Sequence, residues 1–112
     1  MKVSNYRDSD SVEEVAGVSR RDIITADDGA PLFTMRVFEV EPGSSTPSHS
    51  HQWEHEVFVL SGKGVVVGEQ GATPISKESI VFVPPGETHC FVNTGNEPLR
   101  FICVIPLQKE TT

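Results

Sequence analysis

Basic residues are scarce in this chain: 9 Lys and Arg stand against 16 Asp and Glu, leaving a net charge of -7 and a pI near 4.9. Without a basic stripe there is nothing to displace phosphate counterions, which argues against a nucleic-acid partner, and the same deficit argues against an anionic membrane surface. Long apolar runs are missing too. The opening MKVSNYRDSDSVEEV has no apolar core of a secretory leader, and no window approaches the roughly eighteen apolar residues of a membrane span, so a cytoplasmic location is expected. Cysteine is rare, with Cys90 and Cys103 alone, which is no disulfide framework; free thiols are expected. Sustained helical periodicity is also absent, and 112 residues suffice for one core but not for two.

What fills the chain is a rhythm of short β-branched and aromatic runs separated by Gly, Pro, Asn and Asp. Residues 1–16 read as a polar arm, with EEVA as a short helical turn or irregular segment. Strands are expected over 18–25, 32–41, 57–60, 65–67, 72–76, 80–83, 89–93 and 99–105. Asp28-Gly29 reads as a two-residue hairpin turn, and the Gly62/Gly64 turn joins two of the strands. Such spacing means an all-β sandwich or closed barrel. The organisation expected is an N-terminal arm and strand over 1–30, a barrel over 31–107 and a polar tail over 108–112.

Histidine is concentrated. His49, His51 and His55 fall within GSSTPSHSHQWEHEVFVLSG, and the fourth, His89, lies in IVFVPPGETHCFVN. Imidazole is the commonest side-chain metal ligand, so four histidines spent on two motifs point to a shared metal. On an extended strand His49, His51 and His55 have one parity and would project from one face, with His89 arriving from a neighbour. Four neutral donors would leave two open positions on a six-coordinate divalent ion. His51-Gln52-Trp53-Glu54-His55 also fits the H-x-x-E-H of inverted zinc peptidases, but that chemistry needs a helix, and Pro47 upstream with EVFV downstream leaves about one turn of support.

The two motifs resemble those of the cupin superfamily, G-x5-H-x-H-x3,4-E-x6-G and G-x5-P-x-G-x2-H-x3-N. Gly43, His49, His51 and Gly62 fall on the first; Pro84, Gly86, His89 and Asn93 fall on the second. Glu78 replaces the opening glycine of the second motif, and His55 stands where the first places its glutamate ligand. Glu56 is next to it and is the alternative ligand, but the spacing to Gly62 and strand parity favour His55. With HSHxWEHExFVL and FxCxIP, the chain looks like the small four-histidine, manganese-type monocupins. That resemblance implies a double-stranded β-helix in a single domain, a homodimer, and oxidation of a small organic substrate of dioxygenase type. Mn(II) is the first expectation for the metal, with Fe(II), Ni(II) or Zn(II) as alternatives. Non-oxidative isomerase, decarboxylase or lyase chemistry, or a binding or sensor role without turnover, are the competing readings. Replacing Glu by His removes a negative charge from the ligand set and favours an anionic substrate.

Four further residues are candidates for the pocket. Phe91 shares parity with His89 and is either a pocket wall or core. Cys103 is implied by the resemblance as a pocket thiol, whereas a strand cysteine is by default an inert buried one. Trp53 is expected over the barrel mouth or at a dimer surface. Arg36 is a conceivable inward anion anchor, with a solvated or ion-paired surface position the expectation. Asn93 is expected to be structural.

Overall fold

The computed structural model describes residues 1–108; of the expected polar tail, residues 109–112 lie outside the described residues. Nine strands form among them: β1 Ser11–Val15, β2 Val18–Ile24, β3 Phe33–Val40, β4 His55–Ser61, β5 Lys63–Gly68, β6 Gly71–Ser76, β7 Ile80–Val83, β8 Cys90–Asn93 and β9 Leu99–Pro106. They make a six-stranded sheet in the order β1-β2-β3-β9-β4-β7 and a three-stranded sheet in the order β6-β5-β8. Every named pairing is antiparallel. The all-β expectation holds, and the two sheets enclose one core as a double-stranded β-helix of jelly-roll type.

Side-chain alternation decides what faces that core. In β9, Leu99, Phe101, Cys103 and Ile105 are buried while their neighbours are half-buried. In β4 the inward set is His55, Val57 and Val59, so a histidine takes the place of an apolar core residue at the strand's first position. Val57 pairs with Cys103 across the sheet, which brings His55 close to the thiol. Phe101 is stacked between Phe38, at 5.2 Å between ring centroids, and Phe91, at 4.5 Å. Each such pair contributes about 0.5–1.5 kcal/mol beyond simple burial. The outer face is less well covered: Phe58, Ile80 and Phe82 on β4 and β7 are exposed.

Two local expectations need correction. The acidic arm is not a helical turn, because Ser11–Val15 forms β1, an edge strand that turns at Gly17 and pairs with β2. Its residues are all exposed, so no apolar alternation marks it. Asp28-Gly29 is not a two-residue hairpin turn: Asp28 ends a 3-10 turn over Ala26–Asp28, and Gly29 caps it in the left-handed conformation. The Gly62 turn joins β4 to β5 as expected, and it carries the chain from one sheet to the other. Gly62 has φ +84, and a Cβ there would sit 2.4 Å from the Pro98 carbonyl oxygen, so this crossing requires glycine.

Asn93 closes the end of β8. Its buried amide donates to Val40 O at 2.8 Å and Glu97 O at 2.7 Å, and its side-chain oxygen accepts from Gly95 N at 2.8 Å. Asn93→Ala strands these groups and is expected to lower stability by at least about 2 kcal/mol. Urea unfolding reads this directly, and a midpoint equal to that of the wild type would show the network to be dispensable.

Candidate metal centre

The four histidines meet, although not through the single extended strand that their parity suggested. Residues 50–54 run as loop, and of the three only His55 belongs to a regular strand. His49 instead forms an isolated antiparallel bridge with His89, with His49 N to His89 O at 3.2 Å and His89 N to His49 O at 3.0 Å. Gly86 N donates to His51 O at 2.7 Å, fastening the second motif's turn to the loop. Two distant segments are thereby held together by main-chain bonds rather than by the imidazoles.

Ring centroids lie 4.4 Å apart for His49–His51, 5.1 Å for His51–His55, 4.8 Å for His55–His89 and 5.6 Å for His49–His89. His55 and His89 are buried, His51 is half-buried, and His49 is exposed at the mouth. His89 Nδ1 lies 3.0 Å from Glu87 O and so must carry the proton, leaving Nε2 as a donor atom. His55 Nδ1 is 3.4 Å from Cys103 Sγ, which leaves its Nε2 3.1 Å from His51 Nδ1. Glu56 is exposed on the opposite face of β4.

This donor set suits a divalent transition metal in kind, being several imidazoles drawn into one partly buried place. Two ring nitrogens facing each other at 3.1 Å need a proton or a cation between them. Among the described residues, no three His, Cys, Asp or Glu side chains already surround one point as a finished cage. Closing it takes reorientation of the rings within a cluster already assembled.

The histidines line a cavity of about 200 Å³, whose walls include Phe38, Phe91 and Phe101. Phe91 is thus both core and pocket wall. Cys103 is buried, lines the same cavity and, like Cys90, is a free thiol. Trp53 stacks on His51 with centroids 4.6 Å apart and packs against the core, so it supports a histidine from behind. Arg36 overturns the surface expectation. It sits opposite Cys103 in the β3–β9 register, shares the inward parity of Phe38 and Val40, and lines the cavity. Sequence reasoning missed Glu14 and Arg20, which also line it and pair with each other. Glu14 is carried there by a β-bulge, the register jumping from Glu13↔Ser19 to Val15↔Val18. A wider cleft of about 660 Å³ lies on the far flank of His89, where Glu87 is the other lining residue of a metal-ligating type and its carboxylate accepts from Glu69 N at 3.1 Å.

Burial pushes the pKa of His49, His51 and His55 down, aided by repulsion from neighbouring histidines; for His51 and His55, Arg36 adds to it, and His55 falls to about 3. Burial pushes the Cys103 thiol up, against the pull of Arg36. A depressed histidine pKa means that the unfolded chain takes up protons the folded chain refuses. The metal-free protein should therefore be most stable above the unfolded value of 6.5 and lose stability as pH falls from there toward 3. Urea midpoints at pH 7.5 and pH 5 should fall for the wild type and fall less for His55→Asn. Equal falls in the two proteins would contradict the burial argument for His55.

Comparison with known proteins agrees with this architecture. The model of the cupin domain matches residues 36–105. An oxalate-binding protein of Thermotoga maritima is 33% identical over 107 residues, covering 95% of this chain and 85% of that one. The polyketide cyclase RemF from Streptomyces resistomycificus superposes with a TM-score of 0.89 at 35% identity, over 99% of this chain and 82% of that one. A protein of Thermotoga maritima described as a predicted oxalate decarboxylase superposes with a TM-score of 0.81 at 26% identity, over 96% and 100%. No helix among the described residues is long and apolar enough to cross a membrane. With the matched segment spanning both histidine motifs and the sheets closing around them, the chain belongs to the cupin family.

Proposed function

We propose that the chain is a metal-dependent enzyme acting on a small organic molecule, with a divalent transition metal held by His49, His51, His55 and His89. Mn(II) is the first expectation and Fe(II), Ni(II) and Zn(II) are alternatives. The observation that supports this reading is the convergence of four imidazoles from two bridged segments on one cavity, with His55 inward and Glu56 outward. When bound, the metal supplies a Lewis acid that polarises a substrate oxygen.

The protein's own side chains favour non-oxidative chemistry over the oxygen-dependent oxidation expected from the sequence. Glu14 brings a carboxylate to the rim beside His49, where it can take a proton from a substrate and return it. Phe38, Phe91 and Phe101 form an apolar wall that limits water at the reacting centre. Cys103 and the Glu87 carbonyl engage Nδ1 of His55 and His89, which leaves Nε2 of each as the donor atom. Proton movement next to a polarised oxygen is the common element of isomerisation, decarboxylation and cyclisation. Similarity to a polyketide cyclase and to a predicted oxalate decarboxylase supports that class. Similarity to an oxalate-binding protein favours a second reading, capture without turnover. The homodimer expected from the resemblance would cover the exposed apolar residues Phe58, Ile80 and Phe82.

Two measurements test this. Elemental analysis of protein purified without added metal should find near-stoichiometric transition metal in the wild type and in Glu56→Ala, and a loss of at least about tenfold in His55→Ala. Retention by His55→Ala with loss by Glu56→Ala would move the fourth ligand to Glu56. A panel of small 3-oxo acids should be turned over equally with and without air. Oxygen uptake matching turnover would restore the oxidative reading, and binding without product would favour the capture role.

A further inference from the structure

The charges around the cavity are unevenly matched. Of the groups that line it, Arg20 is satisfied: it pairs with Glu14 and its Nε donates to Asp22 at 2.9 Å. Arg36 is not. Asp22, directly opposite it in the β2–β3 register, is held by Arg20 instead, and the ion pairs of the described residues include none with Arg36. Its Nη2 donates to Cys103 Sγ at 3.2 Å, a weak acceptor, and its guanidinium lies 5.0 Å over the Phe38 ring. Its Nε is buried with no acceptor among the described residues. A guanidinium whose buried Nε has no acceptor and which no carboxylate pairs is costly, and that cost is relieved when an anion arrives.

From this we infer that the cavity takes a small carboxylate, with the carboxylate group on Arg36 and a second oxygen directed at the histidine cluster. This rests on the metal reading above and deepens it by naming the substrate class: a short dicarboxylate or an oxo acid. Three features specify it. The planar fork of arginine pairs with both oxygens of a carboxylate, which an ammonium does not do. Cys103 touches both Arg36 and His55 Nδ1, so the guanidinium lies one sulfur atom from the nearest histidine of the cluster, within reach of a two-oxygen ligand of few carbons. The cavity of about 200 Å³ is smaller than the roughly 300–1,000 Å³ of pockets for drug-sized ligands.

The test compares malonate with malonamide, which has the same shape and no charge. Both are titrated by calorimetry into the full chain as purified and after chelation, with metal content measured in parallel. Malonate should bind at least about tenfold more tightly than malonamide. Arg36→Met should erase that preference and Arg36→Lys should keep part of it, both with wild-type metal content. Equal affinities for the two probes in the wild type, or unchanged malonate affinity in Arg36→Met, would overturn the assignment. If Arg36→Met does not fold by circular dichroism, the probe preference in the wild type and in Arg36→Lys decides. The chelated protein reads Arg36 by itself, so failure of metal uptake overturns the metal reading while malonate binding still supports or overturns this one.

Discussion

Two main-chain hydrogen bonds between His49 and His89 are the constraint on which the site depends. They lie at the end of a longer seam between the two motifs. Ser45 bridges Val92, Thr46 N donates to Phe91 O at 2.9 Å, and Gly43 N donates to Asn93 O at 3.2 Å. Because backbone amides and carbonyls satisfy one another along this seam, the histidine rings are not needed to hold the two motifs together. The same seam places Phe91 against Phe101 and so links the aromatic wall of the cavity to the core of the larger sheet. Fold and site are therefore one construction, with the inner residues of β4, β8 and β9 serving both.

The electrostatic character of the cavity follows from what is buried there. Burial and mutual repulsion hold His49, His51 and His55 below their usual range, so these three offer neutral donors. Arg36 is the uncompensated positive charge among the groups lining the cavity. A cation held as proposed, next to the unpaired guanidinium, would make a place that selects against cationic occupants and favours anionic ones. Glu14 and Arg20 balance each other at the rim and leave that selection intact.

Much of this was legible in the chain. Inward alternation in LRFICVIP and HEVFV announces β9 and β4, and Gly and Pro clusters mark where strands stop. The paired motifs point to the family, and the burial of His55 beside an exposed Glu56 follows from parity alone. What the sequence hides has physical reasons. β1 is exposed along its whole length, so no apolar pattern distinguishes it from an irregular arm. The bulge that delivers Glu14 depends on register, which only the partner strand sets. Arg36 lies in a strand where both parities carry apolar residues, Met35 and Val37 on one side and Phe38 and Val40 on the other. Its inward position becomes clear once Cys103 is seen opposite.

The central claim is that four imidazoles from two segments bind one metal. X-ray absorption at the metal edge of protein purified without added metal tests it most directly. The account predicts a first shell with four imidazole nitrogens and the remainder light-atom ligands from solvent or substrate. A shell fitted by two or fewer imidazoles, or by a carboxylate that disappears in Glu56→Ala, would contradict it.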